Sequence, residues 1–262
     1  MSRLSDVFLR AKSENRAALI GYMPAGFPTK ERSQEIIAAM VSGGVDIVEV
    51  GFPYSDPVMD GPVIQQAAEI ALANRTSAQD VMDVVSSVSV PALVMSYWNP
   101  IERVGVEAFA ANLYESGGVG VITPDLTVEE SESWINATSD KGIDRVYVVA
   151  PSSSDERLAK VTAACSGFVY AASLMGVTGA RNSISHSAGD LVARVRRVTD
   201  LPVAVGLGVS TREQAAQVAQ YADGVIVGSA FIKLVLEASN EKDGIEGVRV
   251  LAAELAAGVR RA

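Results

Sequence analysis

The sequence predicts a (β/α)8 barrel with an extra N-terminal helix, a single domain over residues 1–262. Two observations predict it. Eight short apolar runs recur along the chain, most of them followed by an amphipathic stretch, and the chain length of 262 residues is near the ~250 that eight βα units occupy. A third observation counts against the competing layout. An open doubly wound sheet carries about five or six strands and a G-x-G-x-x-G first turn, whereas the first β-to-α turn here is Met23-Pro24-Ala25-Gly26-Phe27-Pro28. No change of composition or low-complexity linker divides the chain.

The predicted strands are Ala18–Tyr22, Asp46–Val50, Ala92–Ser96, Gly120–Thr123, Arg145–Val149, Gly167–Ala171, Val203–Gly206 and Gly224–Val227. They are rich in Val and Ile and nearly continuous in hydrophobicity, as strands buried on both faces are. An extra helix, Leu4–Lys12, precedes the first strand. Further helices are predicted at Glu31–Ser42, Val106–Glu115, Glu129–Asp140, Asp155–Ala164, Gly189–Val198 and Arg212–Gln220, where apolar residues recur with a period near 3.6. Thr29, Ser154 and Thr211 stand where helix N-caps belong, and Gln214 follows Thr211 at capping-box spacing. Gly43-Gly44, Gly117-Gly118 and Gly142 close helices just before strands.

Composition narrows the function classes. With 48% hydrophobic and 20% charged residues the chain can bury a large core, so disorder is excluded. No apolar run is long enough to span a membrane, and the N-terminus has no signal-peptide core. A net charge of −9 argues against nucleic acid or an anionic membrane as the main partner. The lone Cys165 rules out an internal disulfide and a multi-cysteine metal site, and the expected setting is a reducing cytoplasm. His186 lies in a Ser-rich stretch expected to be a loop, Cys165 reads as a small buried hydrophobe, and Arg194, Arg196 and Arg197 read as a solvated helix face.

Barrel active sites lie at the C-terminal ends of the strands, which directs attention to three regions. In the second βα loop, Glu49 interrupts an apolar strand and is expected to point into the barrel mouth. There it is either a desolvated general acid–base or a structural carboxylate paired with a cation. Asp60, between Asp56-Pro57 and Gly61-Pro62, is either a second carboxylate of that site or a turn residue. The sixth loop, Met175–Asn182, carries two glycines that can serve as lid hinges, or is an ordinary surface loop. Gly206-Leu207-Gly208 and Gly228-Ser229, after the seventh and eighth strands, match a backbone phosphate cradle completed by a short helix starting at Ser229.

Several strings closely resemble the α subunit of tryptophan synthase: Glu49 to Pro62, Gly176-Val177-Thr178-Gly179, Gly206 to Ser210, the opening Gly21 to Pro28, and Gln65-Gln66. The resemblance spans essentially the whole chain. It implies cofactor-free retro-aldol cleavage of indole-3-glycerol phosphate to indole and glyceraldehyde 3-phosphate, a lyase step late in tryptophan biosynthesis. By that resemblance Glu49 is the proton-shuttling acid–base, Asp60 faces the indole N–H, and Tyr170 stands beside the glutamate. Thr178 is the lid residue that reaches toward Asp60. Gly179, Gly208, Gly228 and Ser229 hold phosphate, while Tyr22, Met95 and Leu207 line the indole pocket. Tyr22 adds a hydroxyl where relatives often have Phe. Two further departures are Leu174, where many relatives have Arg before the lid, and Thr127, where a Pro is frequent. The resemblance also implies docking on a β subunit in an α2β2 heterotetramer, through Pro53, Asp56 and their neighbours. Indole then passes through a tunnel, and pyridoxal phosphate belongs to that partner alone.

Three other readings share parts of this pattern. A phosphosugar isomerase would need a His or Lys electrophile at the barrel mouth, and His186 is not at a strand end. A purely regulatory partner would have no need of both Glu49 and Asp60. A free-standing indole-releasing lyase would carry the same catalytic residues and differ only in its independence of a partner.

Overall fold

The computed structural model describes residues 3–172, 181–206 and 208–261. Among them the strands are β1 (Ala18–Pro24), β2 (Ile47–Gly51), β3 (Ala92–Met95), β4 (Gly120–Ile122), β5 (Asp144–Val146), β6 (Val148–Val149), β7 (Val169–Ala172), β8 (Val203–Gly206) and β9 (Gly224–Val227). All pair in parallel, in the order β5-β4-β3-β2-β1-β9-β8-β7-β6. The two ends of that order are separated in sequence by Tyr147 alone, so the sheet closes into a barrel. The predicted fifth strand is thus split. Residues 144–146 pair with β4, residues 148–149 pair with β7, and the Tyr147 carbonyl accepts from Tyr170 N at 3.3 Å where the partner changes.

Side chains alternate along each strand with period two. Ala18, Ile20, Ile47, Leu93, Ile122, Val146, Phe168, Ala204 and Ile226 pack together inside the barrel. Leu19, Val48, Val50, Val94, Val121, Val169, Val203, Val205 and Val225 belong to the larger core between barrel and helices. This burial on both faces is why the strands read as continuous apolar runs.

The first helix, α1 (Arg3–Ser13), plugs the N-terminal end of the barrel. Its Leu4, Val7, Phe8 and Ala11 join the interior cluster, and Phe8 meets Phe168 at 5.6 Å between ring centroids. Beside it, buried Arg16 grips Asp46 with two bonds of 2.6 and 2.9 Å, and Asp46 also accepts from Leu19 N at 2.9 Å. The entries of β1 and β2 are thereby tied together at the end opposite the candidate site.

The remaining helices are α2 (Lys30–Ser42), α3 (Pro62–Ala73), α4 (Ala78–Ser87), α5 (Trp98–Val104), α6 (Val106–Glu115), α7 (Glu132–Lys141), α8 (Asp155–Ala164), α9 (Arg181–Val195), α10 (Arg212–Ala219), α11 (Ser229–Glu237) and α12 (Glu241–Gly258). Thr29, Ser154 and Thr211 cap α2, α8 and α10 as predicted. The Gln214 side chain, however, accepts from Ser210 N rather than closing the box on Thr211. Helix α3 was hidden because Gly61-Pro62 reads as a turn, yet Pro is favoured in a first helical turn. The predicted helix Glu129–Asp140 is a 3-10 turn at Val128–Glu130 followed by α7.

Helix α9 starts well before the predicted Gly189, so the position of His186 lies in a helix and not in a loop. The arginine cluster is corrected only at Arg194, which is half-buried, while Arg196 and Arg197 are exposed as expected, just beyond the end of α9. Arg194 pairs with Asp155 at 2.8 Å and bonds the Pro151 carbonyl, while Arg196 makes two 3.0 Å bonds to Asp223. Cys165 is buried at the end of α8, as expected. Among the described residues no helix is long and apolar enough to cross a membrane.

Candidate active site

A cavity of about 310 Å³ opens at the C-terminal end of the barrel, on the side away from α1. Register explains which side chains reach it. Tyr22 pairs with Glu49 across β1 and β2, and Val148 pairs with Tyr170 across β6 and β7. All four continue the inward-facing series of their strands above the apolar interior. Met95, Ala172, Ile226 and Pro124 complete an apolar wall, and Asp60 and Ile64 close the rim from the second βα loop and α3.

Glu49 is 1% exposed, and neither carboxyl oxygen has a hydrogen-bond partner among the described residues. Burial alone pushes its pKa up from 4.5 to about 8. The alternative of a structural ion pair is therefore set aside. Asp60 is half-buried at the cavity rim. Its pKa is also raised by burial, against which a hydrogen-bonding interaction with the Tyr97 hydroxyl pulls it down.

Two glycines make room for the phenols in the mouth. A Cβ at Gly51 would run into the Tyr22 hydroxyl, and one at Gly206 would lie 2.5 Å from the Tyr170 hydroxyl. Burial raises both phenol pKa values well above the usual 10, and the nearby Asp60 and Glu49 carboxyls raise them further. Both therefore stay protonated and able to donate.

Beside these phenols, Gly206, Gly208, Gly228 and Ser229 line the cavity as a glycine-rich wall. Helix α11 begins there with Gly228 as its N-cap and no side-chain cap, leaving its first N–H groups open to an anion. None of the described residues lining the cavity is Lys or Arg. Backbone donors and the helix dipole are what this wall offers to a phosphate.

The structure thus brings Tyr22, Glu49, Asp60, Met95, Tyr170, Gly208, Gly228 and Ser229 to one cavity. Thr178, Gly179 and Leu207, together with Leu174 and most of the sixth loop, lie outside the described residues. Pro53 is buried, whereas Asp56 is exposed beside Val58, which is 81% exposed. Thr127 opens the 3-10 turn and donates to Glu130 at 3.1 Å.

Sequence reasoning missed Tyr97. The signal was present, since Tyr97 stands two residues beyond the end of β3, in the same kind of position that directed attention to the other strand ends.

A family model described as the tryptophan synthase alpha chain matches residues 8–260. The tryptophan synthase alpha chain of Thermobifida fusca is 59% identical, over 100% of this chain and 99% of that one. That of Streptomyces avermitilis is also 59% identical, over 98% and 94%. Among solved structures, tryptophan synthase from M. tuberculosis in its open form superposes with a TM-score of 0.92 at 48% identity, covering 100% of each chain. The alpha subunit from Legionella pneumophila superposes with a TM-score of 0.90 at 32% identity, covering 99% and 98%. The chain belongs to the tryptophan synthase alpha chain family.

Proposed function

We propose that Glu49 and Asp60 carry, in this chain, the reaction of its family, the cleavage of indole-3-glycerol phosphate in tryptophan biosynthesis. The observation that carries the assignment is the buried Glu49 carboxyl, without a hydrogen-bond partner among the described residues, in the same cavity as Asp60. The reaction is a retro-aldol lyase step. A proton is added at indole C3, giving a cationic indolenine whose N–H keeps its hydrogen. A proton leaves the side-chain hydroxyl next to C3. The C–C bond then breaks, its electron pair restores the indole ring, and the former hydroxyl oxygen becomes the aldehyde of glyceraldehyde 3-phosphate.

One group that both donates and accepts keeps this balanced. With its pKa near 8, Glu49 is largely protonated at neutral pH and can give its proton to C3. The resulting carboxylate then takes the hydroxyl proton and restores the starting state. Asp60, in its ionised form, stabilises the positive indolenine N–H, so two carboxyls in different environments take different roles. Tyr170 stands beside Glu49, Tyr22 and Met95 flank the indole, and Gly208, Gly228 and Ser229 hold the phosphate. By the family resemblance, Thr178 is the lid residue that reaches toward Asp60, Gly179 joins the phosphate site and Leu207 the indole pocket. No cofactor is required on this chain.

The family also argues for a partner. The resemblance to tryptophan synthase structures supports docking on a β subunit that carries pyridoxal phosphate, in an α2β2 assembly within the cytoplasm. The surface offered is the rim loop that starts at buried Pro53 and exposes Asp56 and Val58. The test is indole release from indole-3-glycerol phosphate by the purified chain, with and without a tryptophan synthase β subunit. Slow release that rises strongly with the partner supports this reading. Fast release indifferent to the partner means a free-standing lyase, and no release in either condition overturns the catalytic assignment. Asp60→Asn is expected to lower kcat roughly 10²-fold or more, and an unchanged kcat would return Asp60 to the status of a turn residue.

A further inference from the structure

The rim loop that delivers Asp60 is exposed along much of its length, with Ser55, Asp56, Val58 and Met59 all facing solvent. Its end is nevertheless held from outside the cavity. The Tyr97 hydroxyl accepts from Met59 N at 3.0 Å, and Asp60 is the next residue. A phenol oxygen has one proton to give beyond the bonds it accepts. The carboxylate on that side is Asp60, the residue next to Met59, close enough to the hydroxyl for each group to shift the other's titration.

Tyr97 is well mounted for holding something still. It is 4% exposed, stands two residues beyond the end of β3, and packs its ring on Tyr54 at 5.2 Å. The adjacent Trp98 donates its N–H to Asp125 at 2.9 Å and sets its ring edge-on to buried Trp134 at 5.7 Å. The phenol therefore stands on the joined ends of β3 and β4, while the carboxylate it addresses sits on the rim loop. Tyr97 is not among the described residues that line the cavity.

We propose that Tyr97 is a positioning residue, whose hydroxyl aims the Asp60 carboxylate into the cavity by bonding both Met59 N–H and Asp60. The proposal rests on the reading of Asp60 given above. The other titratable groups facing this corner are Glu49, Tyr22 and Tyr170, across the cavity, and Asp125 behind Tyr97. Without the hydroxyl, Asp60 loses a donor that favours its ionised form, so its pKa rises. The loop end also loses the tether that sets its direction. Gln65 Nε2 also donates to the Asp60 carbonyl at 2.8 Å, which holds the backbone and not the carboxylate.

The experiment is Tyr97→Phe, alone and combined with Asp60→Asn, with kcat/KM for indole-3-glycerol phosphate cleavage followed across pH. The ring and its contact with Tyr54 remain, so the variant removes the hydroxyl alone. The expected loss in kcat/KM is roughly ten- to a hundredfold, the scale of a hydrogen bond to a charged group. The acid limb of the profile moves to higher pH, and the loss shrinks toward none in the Asp60→Asn background. Wild-type kcat/KM with an unmoved acid limb would overturn the proposal, as would an equal loss in both backgrounds, which marks a purely structural tyrosine. Unchanged turnover in Asp60→Asn alone would overturn the Asp60 reading, and the proposal with it.

Discussion

Replacing Glu49 with Gln should stabilise the folded chain while abolishing its chemistry, and the stabilisation should depend on pH in a way that only a buried, unpaired carboxyl produces. The unfolded chain carries this group at an ordinary 4.5, the folded chain at about 8. Below the first value the group is protonated in both states and costs nothing. Between the two values the folded state holds a proton that the unfolded state has lost, so stability falls as pH rises, and above the second value the loss is complete. Integration gives a penalty of roughly 1 kcal/mol at pH 5 and about 5 kcal/mol at pH 9. Gln does not titrate, and whatever its amide costs to bury is the same at every pH. The difference in unfolding free energy between Glu49→Gln and the parent chain should therefore grow by about 4 kcal/mol across that range. Urea unfolding of both chains at a series of pH values reads it directly. A difference that stays flat would refute the reasoning, because it would mean that the carboxylate is ionised and compensated in the folded state. Indole release by the same variant should fall at least about 10²-fold.

Two other expectations concern the opposite ends of the barrel. Gly228→Val places a Cβ 3.0 Å from the Tyr22 ring and crowds the N-terminus of α11. It should weaken inorganic phosphate binding roughly ten- to a hundredfold while slowing bound chemistry less, read by titration with phosphate and by the split between KM and kcat. Asp46→Ala leaves buried Arg16 without its two-bond partner and should cost about 3–5 kcal/mol in urea unfolding. KM should not change, since that pair lies at the plugged end.

Much of this molecule was legible before any coordinates. Strands buried on both faces leave continuous Val- and Ile-rich runs, so the barrel could be read from their number and spacing. Threonine and serine caps announced α2, α8 and α10 because the chemistry of a cap is local. Helix α3 was less legible, since Gly61-Pro62 serves a turn and a helix start equally well. The split at Tyr147 was invisible, because it records a change of hydrogen-bonding partner and not a change of residue type.

The same division runs through the site. Sequence by itself placed Glu49, Asp60 and the glycines after the last strands at the ends of barrel strands, because alternation and connectivity dictate which residues arrive there. Whether Glu49 was paired or bare could not be read from the string, since any of the chain's cations was a possible partner. Tertiary structure surrounds the carboxyl with apolar groups and phenols and, among the described residues, leaves both oxygens unbonded. It likewise decided that the Tyr97 hydroxyl accepts from the N–H of Met59, the residue before Asp60, though the two are far apart in sequence. Local patterns determine which elements form and which face each residue takes. The electrostatics of a site depend on groups brought together from distant segments, and only the folded chain specifies those distances.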